Sequence, residues 1–362
     1  MTSHKNLELP KINYQNRLER MKDLAQLKPG DAVYIPALPN IRYFSGFSGS
    51  AALMLLTVDS ATLVTDQRYE ESAQIECQAS GVNVLGIPSA GQLAEVARLL
   101  RGVKRLIVDP RQISMEDYWQ LKGAAPNAEL VNERGLPEKL RLTKDAAEVA
   151  RIREACRIAL QAFDDVYNQL EVESTERAIA NMLEARIKEL GAEDIAFATI
   201  VTSGPNSAKP HSRPSEQAVG EGQPVIIDFG AVVDGYHSDI TRTIWFGELD
   251  RDLKRVYEAA KDAHAAGIAS LEPGVSHEAV DAACRAAFVR HGFVDKPLHP
   301  SGHNVGLSIH ERPFLTPYAT EPILEGHVLT VEPGLYVPTK GGCRIEDTVL
   351  VRHEGVEVLS QR

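Results

Sequence analysis

Residues 225–244 read VIIDFGAVVDGYHSDITRTI, and this stretch decides the fold. It opens with an apolar, β-branched run that a single carboxylate, Asp228, interrupts. Asp234-Gly235 is a hairpin turn signal, after which the chain returns through Asp239 and Thr241. With the turn at this position, Asp228 faces Thr241 and Asp239 is a diagonal neighbour on the same face. A loop one residue different in length would place the two carboxylates directly opposite. Both registers predict a hairpin with two carboxylates on one side.

A second strand pair near the end of the sequence repeats this design. An apolar strand at 328–331 leads into Glu332, and the returning strand carries Glu346. The midpoint between these two residues is Thr339, inside a polar connection at 338–342. The second hairpin therefore also predicts two carboxylates that face each other across the strands.

Between the two hairpins lies His303, which glycines at 302 and 306 flank closely. Taken singly, a carboxylate beside a glycine is ordinarily a turn or surface group. Inside apolar strands, however, unpaired carboxylates are costly, and four of them would repel one another without cations. One imidazole and four carboxylates suit two adjacent divalent ions better than one structural zinc. Two such ions about 3.5 Å apart can share a hydroxide, which is an arrangement for hydrolysis. The predicted ligands are Asp228, Asp239, His303, Glu332 and Glu346.

Several motifs occur in a fixed order along the chain. They are IVTSGPNSAKPH at 200–211, IDFG at 227–230, DGYHSDITRT at 234–243, GHNVGLSIHE at 302–311, EPG at 332–334 and RIED at 344–347. In this order and spacing the chain resembles the pita-bread metallopeptidases, and within them the aminopeptidase P and prolidase group. The resemblance covers the catalytic half and, more loosely, the N-terminal half.

The resemblance implies a role for each predicted ligand. Asp228 is similar to the bidentate ligand of one ion, and His303 and Glu332 are similar to ligands of the other. Asp239 and Glu346 resemble the bridging pair. Glu332 would also manage the proton of the bridging water.

Further site residues follow from the same resemblance. His211 and His310 match catalytic histidines, and together with His299 they would bind the scissile carbonyl, shuttle protons and line a proline pocket. Arg344 resembles the family arginine beside the bridging glutamate, so it joins these histidines as a substrate-binding candidate. His237 shares a strand face with Asp239 and is either a neighbour of the ligands or an ordinary strand residue.

The fold class expected is α/β (α+β), with two domains. Strand and helix patterns alternate up to Gly135-Leu136-Pro137, which predicts a small α/β domain over residues 1–137. The resemblance implies a creatinase-like N-terminal domain, which in relatives often reaches a neighbouring subunit's active site. Arg42 and Arg68 are therefore candidates for contact with substrate.

Residues 138–362 are expected to form the pita-bread catalytic domain. Helical spacing of apolar residues recurs at 144–170 and 175–190 before the first strand pair, and at 253–271 and 276–291 before the second. The order of two helices and a strand pair, repeated, predicts an internal duplication folded around one sheet. One departure from the family pattern is Asn304, which follows the metal histidine where many relatives have glycine.

Composition narrows the class of protein. The 362 residues are 43% hydrophobic and 25% charged, with a net charge of −11, which argues against a nucleic-acid-binding surface. Four scattered cysteines lack metal-site spacing and are expected to be small buried residues in a reducing compartment. No apolar run reaches the length of a membrane span, and the N-terminus is too polar for a secretory signal. We therefore expect a cytoplasmic protein without a membrane partner.

The resemblance implies a dinuclear exopeptidase that hydrolyses the Xaa-Pro bond at the N-terminus of peptides by attack of a metal-bridging hydroxide. Because the ligands are mostly oxygen, Mn²⁺ is the favoured ion, with Co²⁺ or Zn²⁺ able to substitute. The partners expected are peptides with proline at the second position and, as in relatives, a second copy of the chain in a homodimer.

Three alternatives remain open at this point. The first is an Xaa-Pro dipeptidase (prolidase), which the sequence does not separate from an aminopeptidase. A methionine aminopeptidase shares the ligand order, but the N-terminal domain and the contexts of His211 and Glu346 argue against it. A non-enzymatic or metal-free pita-bread protein would normally have lost metal ligands, whereas all five are present here.

Overall fold

The computed structural model describes residues 9–294 and 299–361. The chain divides into two compact units. Lys11–Arg141 forms one, and residues 9–10 together with the described residues from Leu142 onward form the other. All four cysteines are buried and free, as their scattered spacing predicts. In the described ranges, none of the helices has the length and apolar character needed to cross a lipid bilayer.

The first unit is an α/β domain built on a six-stranded sheet of order β4-β3-β2-β1-β5-β6. Strands β1 to β3 pair antiparallel, while β4, β5 and β6 join the sheet in parallel. The predicted alternation of strands and helices is present, with strands β2, β3 and β5 separated by helices and turns. Its elements are α1 Tyr14–Leu24, β1 Asp31–Ile35, α2 Leu38–Ser45, β2 Ala52–Thr57, β3 Ala61–Thr65, α3 Glu70–Glu76, β4 Asn83–Gly86, α4 Ser89–Leu99, β5 Arg105–Val108, α5 Met115–Ala124, β6 Glu129–Asn132 and α6 Leu136–Leu142.

The second unit carries two copies of the predicted order of two helices followed by a strand pair. Its helices are α7 Ala146–Tyr167, α8 Glu176–Glu189, α9 Arg251–Ala269 and α10 His277–Arg290. Its strands are β7 Asp194–Ile195, β8 Ile200–Ser203, β9 Val225–Phe229, β10 Ala231–Val233, β11 Tyr236–His237, β12 Ile240–Ile244, β13 His303–Asn304, β14 Glu311–Phe314, β15 Val328–Val331, β16 Gly334–Val337, β17 Gly341–Arg344, β18 Asp347–Val351 and β19 Val356–Val358.

Local sequence explains where these helices begin. The side chain of Asp145 caps α7 in a reciprocal capping box with Glu148. Thr175 caps α8 and Ser276 caps α10 through side-chain oxygens that accept backbone N–H groups. The apolar faces of α9 and α10 then pack against β15 and β18 in one buried cluster.

The first hairpin has the register that the turn signal predicts. Asp234 and Gly235 have φ angles of 46° and 80°, so both central residues of the turn are left-handed, as a type I′ turn requires. Thr241 faces Asp228 across β9 and β12. Asp239 therefore lies diagonally from Asp228, and the register with the two directly opposite is not adopted.

The second hairpin is also centred as predicted. Val331 pairs with Asp347, and Gly334 pairs with Arg344, so both ladders share a midpoint at residue 339. Thr339 occupies the apex with a φ of 67°. Glu332 and Glu346 consequently lie across from each other between the two ladders.

The backbone hydrogen bonds divide the strands of this unit among four sheets, whereas the repeated pattern predicts one. Pro333, which has no N–H group, separates β15 from β16. Ser238 interrupts the first hairpin, where its hydroxyl accepts a hydrogen bond from Ala231 N. Both breaks lie beside carboxylates. Where the backbone turns a side chain toward the site, it no longer forms the regular hydrogen bonds of the β-ladder.

The two hairpins meet through a reciprocal pair of threonines. Thr241 Oγ1 donates to Glu346 Oε2 at 2.6 Å, and Thr348 Oγ1 donates to Asp239 O at 2.8 Å. Glu346 N also donates to Thr241 O at 3.2 Å. Each half of the duplication thus holds the carboxylate-bearing strand of the other.

Candidate active site

A cavity of about 580 Å³ lies in the second unit, and all nine site residues predicted from the sequence line it. Its volume is typical of pockets for small ligands. The lining residues are Phe197, Ala198, Ile200, His211, Asp228, Asp239, His299, Pro300, His303, Ile309, His310, Phe314, Glu332, Arg344 and Glu346.

Three predicted ligands converge on one point at the base of this cavity. One ligand atom from each of Asp239, His303 and Glu346 lies within 4.8 Å of the other two. All three residues are buried, because they extend from strands or strand ends whose neighbours pack in the core. Asp228 is also buried, and its Oδ1 has no hydrogen-bond partner.

The orientation of His303 is fixed by the backbone of the next residue. Its Nδ1 donates to Asn304 O at 3.0 Å, which leaves Nε2 as the nitrogen that faces the carboxylates. Nε2 lies 3.3 Å from Asp239 Oδ2 and 3.5 Å from Glu332 Oε1. A Cβ at Gly302 would collide with the carbonyl oxygen of Thr330, so glycine is needed for this approach.

The carboxylates are electrostatically strained. Burial, together with the neighbouring Asp228 and Glu332, raises the pKa of Asp239 well above its ordinary value. Burial and the charge of Asp239 do the same for the pKa of Glu346. Burial also raises the pKa of Glu332, against the opposing influence of His303. Clustered oxygens, a free imidazole nitrogen and an unpartnered buried Asp228 oxygen together fit divalent ions.

Arg344 holds one edge of this cluster with each of its three nitrogens. Nη2 donates to Asp228 Oδ2 at 2.6 Å, and Nε donates to Thr241 Oγ1 at 3.1 Å. Nη1 donates to Tyr336 OH at 2.8 Å and to Pro210 O at 3.4 Å. Burial lowers the pKa of Arg344, but the adjacent Tyr336 and Asp228 outweigh it and raise the pKa well above its ordinary value.

Tyr336 is a site residue that the sequence reasoning missed. Its hydroxyl accepts from Arg344 Nη1 and lies 2.8 Å from His299 Nε2. Because His299 Nδ1 donates to Pro300 O at 2.7 Å, its Nε2 accepts a hydrogen bond from the Tyr336 hydroxyl. Burial raises the pKa of Tyr336 to about 12, so the hydroxyl stays protonated. A Cβ at Gly334 would collide with the Tyr336 ring, so glycine is needed there for the ring to take this position.

Histidines and apolar side chains form the wall above the cluster. The rings of His303 and His310 are 4.5 Å apart in an edge-to-face arrangement, and the ring of Phe314 is 6.4 Å from that of His310. Burial, followed by the neighbouring His303, lowers the pKa of His310 to about 4. Burial and Arg344 lower the pKa of His299 to about 4. Both imidazoles are therefore neutral at neutral pH.

The two residues left open by the sequence have structural contacts. His237 does not line the cavity; its Nδ1 lies 3.1 Å from Gly306 O in the segment that leads to His310. Asn304 is fully buried, and its Nδ2 donates to Pro313 O at 2.8 Å and lies 3.4 Å from His277 Nε2. The asparagine thus ties the strand of His303 to the strand that follows His310.

His327, behind the site, makes stability sensitive to acid. Burial, with Lys144 and His277 nearby, lowers its pKa to about 3. The pKa of His327 is therefore about 3 in the fold and about 6.5 in the unfolded chain. Between these two pH values the unfolded chain binds the histidine proton more tightly, so stability falls as the pH falls. We expect His327→Gln to reduce the difference in unfolding free energy between pH 7.5 and pH 5 by on the order of 2 kcal/mol. Urea unfolding of the metal-free protein at both pH values measures it.

His353→Gln is the matched control, because the side chain of His353 is 86% exposed. It should leave the pH dependence of unfolding unchanged. An equal pH dependence in His327→Gln and the unmodified chain would show that His327 does not carry this effect.

A buried cluster of carboxylates and imidazole in a cavity walled by histidines defines a metal-dependent hydrolase. Residues 150–353 match the profile of metallopeptidase family M24, and residues 17–143 match the creatinase/prolidase N-terminal domain. The chain belongs to metallopeptidase family M24 and has the α/β creatinase-type domain followed by the catalytic domain of that family.

Proteins of known name resemble the chain over nearly its whole length. An Xaa-Pro dipeptidase of Pyrococcus horikoshii is 33% identical over 91% of this chain and 93% of its own length. The structure of an Xaa-Pro dipeptidase from Bacillus anthracis superposes with a TM-score of 0.91 at 33% identity, covering 97% of this chain and 98% of the other. An X-Pro aminopeptidase from Thermotoga maritima gives a TM-score of 0.86 at 30% identity, covering 94% and 98%.

Proposed function

We propose that the protein is a dinuclear metal exopeptidase that removes the N-terminal residue from peptides with proline at the second position. Asp228 would chelate one ion, while His303 and Glu332 would bind the other. Asp239 and Glu346 would bridge the two. Relatives named as Xaa-Pro dipeptidase and X-Pro aminopeptidase support the substrate class.

One observation carries this proposal: the ligand cluster and an apolar wall share one cavity. Proline has no amide N–H and presents an apolar ring, so a pocket for it needs hydrophobic surface and no acceptor for that group. Ile309 and Phe314 supply such surface next to His310. The carboxylate cluster would take the free amino end of the substrate, which places the first peptide bond between the two.

Divalent ions held by this set supply Lewis acidity to a peptide carbonyl and to an attacking water. Glu332 would accept the proton of that water, because its carboxylate belongs to the ligand cluster, with Oε1 3.5 Å from His303 Nε2. Neutral His310 would donate one N–H to the developing oxyanion. His211 would pass a proton to the proline nitrogen as it leaves, and His299 would orient the substrate. Arg344 would act on the substrate through the groups it holds, Asp228 and Tyr336.

A dipeptidase is the second candidate function. The positive charge available in the cavity favours an aminopeptidase over it. A strict dipeptidase must bind the carboxylate of a two-residue substrate. Among the described residues that line the cavity, Arg344 is the one permanent cation, and each of its nitrogens already has a partner. A dipeptide's terminal carboxylate would therefore lack an ionic partner there, whereas a longer peptide extends out of the cavity.

We expect the metal-stripped enzyme, refilled with Mn²⁺, to cleave Ala-Pro-Ala faster than Ala-Pro. The ratio of kcat/KM should be at least about 10, since a charged group left without a partner costs more than about 1.4 kcal/mol. Peptide hydrolysis followed by chromatography gives both constants. Ala-Ala-Ala is the control for the requirement for proline.

Preferential cleavage of Ala-Pro would identify a dipeptidase and would contradict the argument from Arg344. Equal cleavage of Ala-Ala-Ala and Ala-Pro-Ala would remove the proline specificity. Hydrolysis of none of these peptides would refute the proposed function as a whole.

The finer points of the proposal concern the ion, the assembly and the compartment. Mn²⁺ is proposed as the native ion because four of five ligands offer oxygen, with Co²⁺ or Zn²⁺ as substitutes. A homodimer is proposed from the family resemblance. A reducing, cytoplasmic compartment is proposed because the four cysteines are all free thiols.

A further inference from the structure

The segment that carries His211 is folded around a buried carboxylate from another element. Residues 203–215, here called the His211 loop, leave β8, pass through a short 3₁₀ helix at Gly204–Ala208 and bring His211 to the cavity. Glu176, the first residue of α8, is 0% exposed and lies beneath this loop. It does not line the cavity.

The carboxylate of Glu176 accepts five hydrogen bonds from the His211 loop. Oε1 accepts from Ser203 N at 2.6 Å and from Ser203 Oγ at 3.2 Å. Oε2 accepts from Asn206 Nδ2 at 2.9 Å, from Ser215 N at 2.9 Å and from Ser215 Oγ at 2.7 Å. One charged group therefore fixes both ends of the loop and a point within it.

A carboxylate is well suited to this position. Hydrogen bonds to a charged acceptor are about twice as strong as neutral ones. The N-terminus of α8, which Thr175 caps, also favours negative charge in its first turn. Because ordering a loop costs conformational entropy at every residue, an acceptor that holds three separate points reduces the freedom of the whole segment.

A chain of side chains leads from Glu176 to the neighbour of His211. Asn206 donates to Glu176 through Nδ2 and accepts through Oδ1 from Ser212 Oγ at 2.7 Å. Ser212 directly follows His211. On the other side, Pro210 O accepts from Arg344 Nη1 at 3.4 Å. The residues before and after His211 are thus both held, one by the site arginine and one by the Glu176 chain.

We propose that Glu176, acting through Asn206 and Ser212, is a positioning residue for His211. This inference rests on the proposed role of His211 in proton transfer. It goes beyond that role because it assigns a function in turnover to a buried glutamate outside the cavity. Without the Asn206 contacts, Glu176 would still hold the loop ends at Ser203 and Ser215, but His211 would sample orientations that do not reach the leaving nitrogen.

A double-mutant cycle with Mn²⁺-loaded enzyme and Ala-Pro-Ala separates positioning from general stabilisation. His211→Ala is expected to lower kcat by about 10²-fold or more, as for loss of a general acid. Asn206→Ala, which breaks the chain at its middle, is expected to lower kcat by about 10-fold with a smaller change in KM. In the His211→Ala background the same substitution should lower kcat by less than about 2-fold, because no histidine remains to be positioned.

Two further comparisons test whether a loss of activity comes from misfolding instead of lost positioning. Ser212→Thr keeps the hydroxyl and should restore most of the kcat that Ser212→Ala loses. Glu176→Gln should reproduce the defect of Asn206→Ala, whereas Glu216→Gln, whose side chain is 75% exposed directly after the His211 loop, should not. Thermal midpoints and metal content confirm that each variant is folded and loaded.

The outcomes distinguish the inference from the proposed function. If Asn206→Ala lowers kcat by the same factor with and without His211, the chain only stabilises the protein and the positioning role is wrong. An equal loss in Ser212→Thr and Ser212→Ala contradicts it as well. If the unmodified enzyme does not cleave Ala-Pro-Ala, or if His211→Ala is fully active, the assignment of function to the site fails first and this inference fails with it.

Discussion

Asp239→Asn is expected to lower kcat/KM for Ala-Pro-Ala by at least about 10³-fold, because substitution of residues that merely support metal ligands already costs about 10–100-fold. Asp239 is the predicted bridging ligand, buried, with Oδ2 3.3 Å from His303 Nε2. An amide at this position keeps the shape but cannot bridge two cations. Peptide hydrolysis with Mn²⁺ and the metal content of the purified variant measure the effect.

Asp239→Asn lowers kcat/KM, but it is not expected to lower the stability of the metal-free protein. Burial and the charges of Asp228 and Glu332 raise the pKa of Asp239, which means that its ionised form is unfavourable in the fold. Removing that charge should leave the thermal midpoint in chelator at pH 7.5 unchanged or higher. Loss of activity together with a lower midpoint would indicate a folding defect instead of a lost ligand.

Asp234→Asn is the matched control from the same hairpin. Asp234 is 57% exposed at the turn, pairs with Arg151, and does not line the cavity. Asparagine also tolerates the left-handed conformation there. This variant should retain activity and bound ions, and a loss equal to that of Asp239→Asn would contradict the special role of Asp239.

Much of the fold and of the site could be predicted from the sequence because the decisive contacts are local. In a hairpin, the turn position fixes every cross-strand pair, so Asp234-Gly235 alone sets the partner of Asp228. The side-chain period of two then decides which residues share a face. The apolar strands around each carboxylate made burial predictable, and burial of repelling charges implied cations.

The parts that could not be predicted depend on contacts between distant segments. Tyr336 reaches His299 and Arg344 only because β16 turns back beside the cavity. Glu176 looks like an ordinary residue in the first turn of a helix, and nothing local shows that a loop folds around it. No period or turn signal encodes such contacts, since they arise when separate elements pack.

Removing the divalent ions is expected to destabilise the protein at neutral pH, and the loss should grow as the pH rises. Ions at 1,000 times their dissociation constant stabilise by about 4 kcal/mol per site. In the metal-free fold the pKa values of Asp239, Glu332 and Glu346 are raised, mainly by burial. Their protons are therefore bound more tightly in the folded state than in the unfolded chain, where carboxyl pKa values are near 4.

Because the fold raises their pKa values, the three carboxyl groups contribute stability that is present below about pH 4. This stability is lost as the pH rises through their folded pKa values. Urea unfolding with Mn²⁺ and with chelator, at pH 5.5, 6.5 and 8, measures the difference. Buried histidines act in the opposite direction, but they do so below about pH 6.5 and contribute to both series. Because the histidines outside the cluster contribute to both series, the pH dependence of the difference between the two series reports the carboxylates.

Asp239→Asn should flatten the pH dependence of the metal-free series, because it removes one of the three raised groups and lowers the pKa of Glu346, which Asp239 raises by its charge. A stabilisation by Mn²⁺ that does not grow as the pH rises from 5.5 to 8 would contradict the prediction. So would a stabilisation by Mn²⁺ that is the same in Asp239→Asn and in the unmodified chain. Either result would mean that the carboxylates are not held against one another in the fold, and the cluster would then have no physical reason to recruit cations.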